Sequence, residues 1–211
     1  MKLLKQDEIN AFHHYFEEVP LGEAEIKSRI DFADKIFDAF AAVFASVSEL
    51  IEKDSEDNSD GEEWWLFFFD EAQEFYLDTL EDFGLTDDYC KNRAEIASKE
   101  IVNTLKKAYE DGSLDEALTP DKIVRIAWTE TNIIQNHDMN ERKKAEGYGS
   151  KVWNTMEDER VRMAHYLVDR VKVGINDDFD VDGYPMAHPG DTTNDPPADL
   201  IVNCRCWLTY E

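Results

Sequence analysis

The sequence predicts an α+β fold: an N-terminal helical portion followed by a small module of mixed helix and antiparallel sheet. Apolar residues recur at three- and four-residue steps through the first half of the 211-residue chain, which is the period of a helix. After Gly147-Tyr148-Gly149, short alternating apolar segments appear between stretches rich in Asp, Gly and Pro, and these indicate strands and loops. We place the division near residue 119, with a helical portion over 1–119 and the mixed module over 120–211.

The predicted helices are set by apolar spacing and by signals at their ends. The run Trp64-Trp65-Leu66-Phe67-Phe68-Phe69 is expected to be helical and part of the core, with a docking surface for a partner as the alternative. Thr119 followed by Pro120 indicates a helix start, since a capping side chain precedes a proline at the first helical position. The four predicted helices are 23–53, 63–83, 87–111 and 120–146.

The module that follows is expected to contain shorter elements. A helix is predicted over 158–168, and a half-buried strand is indicated by the alternation of Val171, Val173 and Ile175. A segment rich in Asp, Gly and Pro follows over 176–199 and is predicted to be one long loop, which needs to be tied down. Further strands are predicted at 153–155, 200–202 and 206–210.

The charge of the chain restricts its partners. Asp and Glu number 48 against 22 Lys and Arg, so the net charge is −26. Such a surface repels nucleic acid, because phosphate binding needs Lys and Arg, and it also repels anionic membranes. A solvated acidic surface is the plain interpretation, with a DNA mimic or a basic partner as alternatives. Neither a membrane-spanning stretch nor an apolar signal core is found, which favours synthesis and use in the cytoplasm or packaging from there.

Two imidazoles and two thiols stand out as candidate metal ligands. His165, His188, Cys204 and Cys206 form a complete donor set for a tetrahedral zinc ion, and such a closed structural site is not catalytic. The alternatives are buried thiols or a labile disulfide at the Cys-x-Cys pair, and a carboxylate-bonded helix histidine at His165.

Common enzyme motifs are absent: we find no phosphate loop, no nucleophile elbow and no His-Glu-x-x-His helix. A nucleotide-transfer or nuclease-type enzyme that uses Arg125, Glu130, Arg162 and His165 stays an alternative. Such polar clusters more often form ion pairs that fix elements to each other, and a Glu130–Arg162 pair is one specific prediction.

Several segments, taken in order, resemble the phage head-morphogenesis family named for protein F of phage Mu. The resemblance covers about 120–208 and depends on the order and spacing of its parts rather than on any single part. The matching parts are Arg125 to Thr131 with its Thr129-Glu130 pair, Gly147 to Gly149, Trp153, the string Asp158, Val161, Arg162 and His165, and the closing Asn203-Cys204-Arg205-Cys206.

The resemblance implies a minor head protein, which is a structural or assembly protein of the virion or prohead and not an enzyme. Its implied partners are portal or capsid proteins, and it is made in the host cytoplasm during assembly. The residues of the shared string have an implied structural role. The N-terminal region departs from the family, whose members often have a longer or more basic one, so direct contact with DNA is not expected.

Overall fold

The computed structural model describes residues 19–54 and 62–211. These residues form long helices followed by a small antiparallel sheet, which confirms the predicted α+β class. None of the helices within this part of the chain is long and apolar enough to cross a membrane. The helices are α1 Glu23–Asp54, α2 Glu62–Asp82, α3 Asp88–Glu110, α4 Leu114–Ala117, α5 Pro120–Ala145, α6 Met163–Leu167 and α7 Ala198–Ile201. The strands are β1 Ser150–Asn154, β2 Lys172–Gly174, β3 Phe179–Val181, β4 Tyr184–Met186 and β5 Trp207–Tyr210.

The chain divides into two compact units. Within the described residues, the first unit contains 31–54 and 62–127, and the second contains 19–30 and 128–211. The boundaries therefore fall inside α1 and inside α5. The sequence places a division near residue 119, where α5 begins, because that is where the local start signal lies. A boundary inside a continuous helix leaves no such signal.

The first unit is built from helices with an aromatic core. Phe40 of α1 and Tyr76 of α2 are both fully buried, and their rings meet edge to face with centroids 5.7 Å apart. Edge-to-face contact is a preferred geometry for aromatic pairs, because the positive ring edge meets the negative face. The ring of Phe32 makes a similar contact with Phe83 at 5.1 Å.

The apolar run that opens α2 is helical, as predicted, and its residues divide between two environments. Trp65 and Phe68 are buried, which agrees with the core interpretation. Leu66 and Phe67 are 66% and 59% exposed. The helical period causes this division, since neighbouring residues of a helix point about 100° apart.

The second unit contains a three-stranded antiparallel sheet in the order β2-β1-β5. Trp153 of β1 pairs with Leu208 of β5 and is fully buried. Its indole ring lies against Phe179 of β3 at 5.2 Å and against His165 of α6 at 5.7 Å, measured between centroids. The core of this unit thus forms around one tryptophan.

Two expectations for the segment 176–202 are corrected. The predicted loop 176–199 contains a hairpin of β3 and β4, whose turn residues Asp182 and Gly183 have φ of 54° and 87°. Asp-Gly is a strong signal for such a turn, because both positions need positive φ. Leu200 and Ile201 of the predicted strand 200–202 instead belong to helix α7, and Val202 is its C-cap residue. An apolar triplet is too short for its period to distinguish a strand from a helix.

The predicted helix 158–168 is shorter in the structure. Helix α6 covers only Met163–Leu167, and Arg162 before it is extended, with φ −67° and ψ 147°. The backbone N–H of Arg160 donates to the carboxylate of Asp158 at 3.0 Å, so this segment forms a side-chain turn before the helix begins.

Candidate metal centre

Three of the four predicted metal ligands meet in the second unit. Nδ1 of His165 lies 3.6 Å from Sγ of Cys204 and 3.4 Å from Sγ of Cys206. The three side chains are buried, and their potential ligand atoms all lie within 4.8 Å of one another. We call these three residues the Cys–His cluster. The cluster can hold a metal ion.

The distances within the cluster fit a tetrahedral ion. With bonds of about 2.3 Å to sulfur and about 2.0 Å to nitrogen, a tetrahedral zinc ion separates its nitrogen and sulfur ligands by about 3.5 Å. The two measured distances from Nδ1 to sulfur, 3.6 and 3.4 Å, lie on either side of that value. Little movement is therefore needed for these atoms to become ligands of one ion.

The two thiols differ in acidity because they interact with each other. The side-chain hydrogen bond from Cys206, followed by the bond with His165, holds the pKa of Cys204 well below its usual value, although burial acts to raise it. The same bond to Cys204, together with burial, raises the pKa of Cys206 well above its usual value. The backbone N–H of Cys206 also points at Sγ of Cys204 at 3.5 Å. One thiolate is thus favoured in the pair, and metal binding would release the remaining thiol proton.

The three side chains are carried by a short helix and by an irregular segment. His165 is the buried residue of the short helix α6, whose Met163, Tyr166 and Leu167 are exposed. The two cysteines lie in the irregular segment between α7 and β5, so Cys206 comes just before the strand and not at its start as the prediction 206–210 had it.

An ion pair connects the two segments that carry the ligands. Arg205 donates from one guanidinium nitrogen to both carboxylate oxygens of Asp158, at 2.8 and 2.7 Å. The hydrogen bond from Arg205 lowers the pKa of Asp158. Arg162 donates a hydrogen bond to the backbone carbonyl of Val202, two residues before Cys204. Both arginines therefore hold the cysteine segment next to the segment that leads into α6.

Helix α5 provides a second anchor for the same region. Nδ2 of Asn136 donates to the carbonyl oxygen of Pro189 at 3.0 Å and approaches that of Cys206 at 3.4 Å. Gly190 has φ +83°, and a Cβ there would lie 3.1 Å from Cγ1 of Ile133 on the helix. The loop after β4 can approach α5 this closely because a glycine occupies the position.

A buried arginine, which the sequence analysis did not find, orients this anchor. Arg29 of α1 is 2% exposed and donates to Oδ1 of Asn132 at 3.1 Å and to Oδ1 of Asn136 at 2.8 Å. It also pairs with Glu25 at 3.1 Å. The available signal was the spacing of the two asparagines, which lie four residues apart and so share one face of α5.

The other residues of the predicted motif are placed as follows. The backbone N–H of Asn203 donates to Oγ1 of Thr129 at 3.2 Å, and Asn203 has a positive φ of 57°, which asparagine tolerates well. Glu130 is buried, and its predicted ion pair with Arg162 stays a prediction. Arg125 is exposed and belongs to the first unit.

His188 is not a member of the Cys–His cluster, so the predicted set of four ligands is corrected to three. Its Nδ1 contacts the carbonyl oxygen of Pro189 at 3.2 Å, and its ring lies 5.5 Å from that of His137. Burial, together with the charges of His137 and Lys151, lowers the pKa of His188 to about 4, although Asp191 acts in the opposite direction. Spacing along the chain could not separate His188 from His165, because both histidines precede the cysteines at distances compatible with a shared metal site.

This histidine makes the protein sensitive to acid. Because its pKa is lowered from 6.5 to about 4 in the folded chain, the unfolded chain binds more protons between those values. Stability is therefore lost as the pH falls from 6.5 towards 4. Between pH 7 and pH 5, we expect the free energy of unfolding of the wild type to fall by about 2 kcal/mol more than that of His188→Gln. Urea unfolding of both proteins across this range measures the difference, and parallel curves would contradict the prediction.

Comparison of the chain with protein-family models, with curated proteins and with solved structures found no match in any of the three.

Proposed function

We propose that this chain is a minor head protein of a phage or prophage, with a structural role in head assembly near the portal. The observation that supports this proposal is the convergence of the family-like string. Asp158 pairs with Arg205, and His165 contacts Cys204 and Cys206. Residues that are distant in the sequence thus form polar contacts with one another, as expected of a motif that stabilises a module.

We further propose that zinc is the ion of the Cys–His cluster. Thiolate and imidazole are the donors that zinc takes in proteins, whereas magnesium and calcium need oxygen donors. The cluster is buried and contains one favoured thiolate. A bound cation would neutralise the negative charge of that thiolate. An ion at this position would fasten the cysteine segment to α6, and would thereby tie down the long excursion of the chain through β3 and β4.

The test of the head-protein proposal is the composition of the particle. Proheads and virions made from the genome that encodes this chain are expected to contain it at low copy number, together with the portal protein. Deletion of its gene is expected to reduce the yield of filled heads. Normal heads from the deletion strain, combined with its absence from proheads, would overturn the proposal.

The exposed pair Leu66 and Phe67 on α2 is the surface that we assign to the portal or capsid partner. Both side chains are large, apolar and more than half exposed, and exposed apolar surface is a candidate for contact with a partner protein. The double substitution Leu66→Ser and Phe67→Ser is expected to reduce co-purification with the portal protein at least tenfold. Its thermal stability should change little, because exposed side chains contribute only about 0.5 kcal/mol each.

A matched control for this surface is available on α6, where Tyr166 and Leu167 are similarly exposed, at 60% and 71%. Their replacement by serine should leave co-purification with the portal protein intact. If the α6 variant lost the portal protein and the α2 variant kept it, the assigned surface would be wrong.

A further inference from the structure

A small cavity lies beside the Cys–His cluster. It has a volume of about 20 Å³, and all three cluster residues line it. A cavity of about 10 to 15 Å³ is the smallest that holds one water molecule, so this one has room for a single small ligand. The remaining lining includes the arginines Arg160, Arg162 and Arg205.

The cluster provides three ligands, whereas zinc in proteins is almost always four-coordinate. Within the described residues, the grouping of His, Cys, Asp and Glu side chains around these atoms contains only His165, Cys204 and Cys206. The carboxylate of Asp158 is occupied by Arg205, and His188 lies outside the group. The fourth ligand therefore has to come from outside this group of side chains.

We infer that the metal of the Cys–His cluster has an open fourth position, which faces the cavity and takes a small exogenous anion. This inference rests on the metal proposed above. Two thiolates neutralise the charge of a divalent ion, so the ion alone would hold an anion weakly. Arg160 and Arg205 of the cavity lining both pair with Asp158, so the three arginines together with this one carboxylate leave a net positive charge next to the place where the anion would lie.

The cavity is suited to binding an anion and not to hydrolysis. Its lining residues include no carboxylate that could act as a general base on a bound water molecule. The open position therefore makes this a metal centre that binds an exogenous ligand. It would bind an anion although the overall charge of the chain is −26. The ligand is an anion about the size of one water molecule, because the cavity has room for little more.

Cobalt(II) substitution tests this inference with a direct spectroscopic readout. The full-length chain loaded with cobalt is expected to show a thiolate-to-cobalt charge-transfer band at one equivalent of metal. Titration with fluoride, a single-atom anion close in size to a water molecule, should then shift the ligand-field bands in a saturable manner. In Arg160→Met, the fluoride concentration for half saturation is expected to rise several-fold.

Arg170→Met is the matched control, because it removes the same charge from an exposed arginine that does not line the cavity. Its fluoride titration should equal that of the wild type. Cobalt binding without any response to fluoride would overturn the open position while leaving the proposed metal intact. An equal response of the two arginine variants would overturn the role of the cavity. A chain that binds no cobalt would overturn the metal and the inference together.

Discussion

Replacement of Cys204 by serine is expected to abolish stoichiometric zinc binding and to lower the melting temperature by ~10 °C. A serine hydroxyl stays protonated at neutral pH, so the site would lose its favoured anionic ligand. A metal present at a thousand times its dissociation constant adds about 4 kcal/mol to stability, and a chain of this size gains roughly 2–4 °C per kcal/mol. Metal analysis and calorimetry of the two proteins measure both effects.

The controls for this variant separate the loss of metal from damage to the core. His188→Gln should keep one equivalent of zinc, because His188 does not belong to the Cys–His cluster. A chelator should lower the melting temperature of the wild type to that of Cys204→Ser and should leave the variant unchanged. If the wild type purified from zinc-supplemented cells carried no metal, and the chelator had no effect, the proposed metal site would be wrong. The three side chains would then only pack against one another.

Replacement of Trp153 by alanine is the second change with a large expected effect. Its side chain is fully buried and lies against Phe179 and His165. Removal of a buried tryptophan side chain costs about 3–5 kcal/mol, since apolar contacts are lost and a cavity is left. We also expect weaker metal binding, because His165 loses one wall of the pocket that orients its ring.

Val152→Ala provides the comparison for this prediction. Val152 is the neighbour of Trp153 on β1, but its side chain points to the other face of the sheet and is only half-buried. Its loss should cost about 1 kcal/mol and leave metal binding unchanged. Urea unfolding and zinc titration of the two variants measure the contrast. A cost below about 1 kcal/mol for Trp153→Ala would contradict the central position of this residue.

The elements of the chain differ in how well local patterns could predict them. The four predicted long helices begin and end close to their predicted positions, whereas the four-residue helix α4 was not predicted. Their apolar spacing and end signals are local, so neighbouring residues contain the information. The shorter elements after Gly149 were less predictable, because three or four residues do not show a period. The Asp182-Gly183 turn was a readable signal that the sequence analysis missed.

The candidate site shows the same contrast. The chemistry of the donors identified His165, Cys204 and Cys206 from the sequence, because few residue types bind zinc. The same reasoning also included His188, which lies outside the cluster. The anchoring by Arg29 and Asn136 was not foreseen, since these two residues lie 107 positions apart.

The sequence by itself determined the α+β class, the long helices and the identity of the Cys-x-Cys pair with its histidine. These features follow from the spacing of neighbouring residues and from the chemistry of single side chains. Only the tertiary structure decided that the cluster brings together three of the four candidate ligands, that a cavity lined in part by three arginines lies beside it, and that the unit boundaries fall inside α1 and α5. The physical reason is that these features depend on distances between residues far apart in the chain, which are set by packing and which no local pattern encodes.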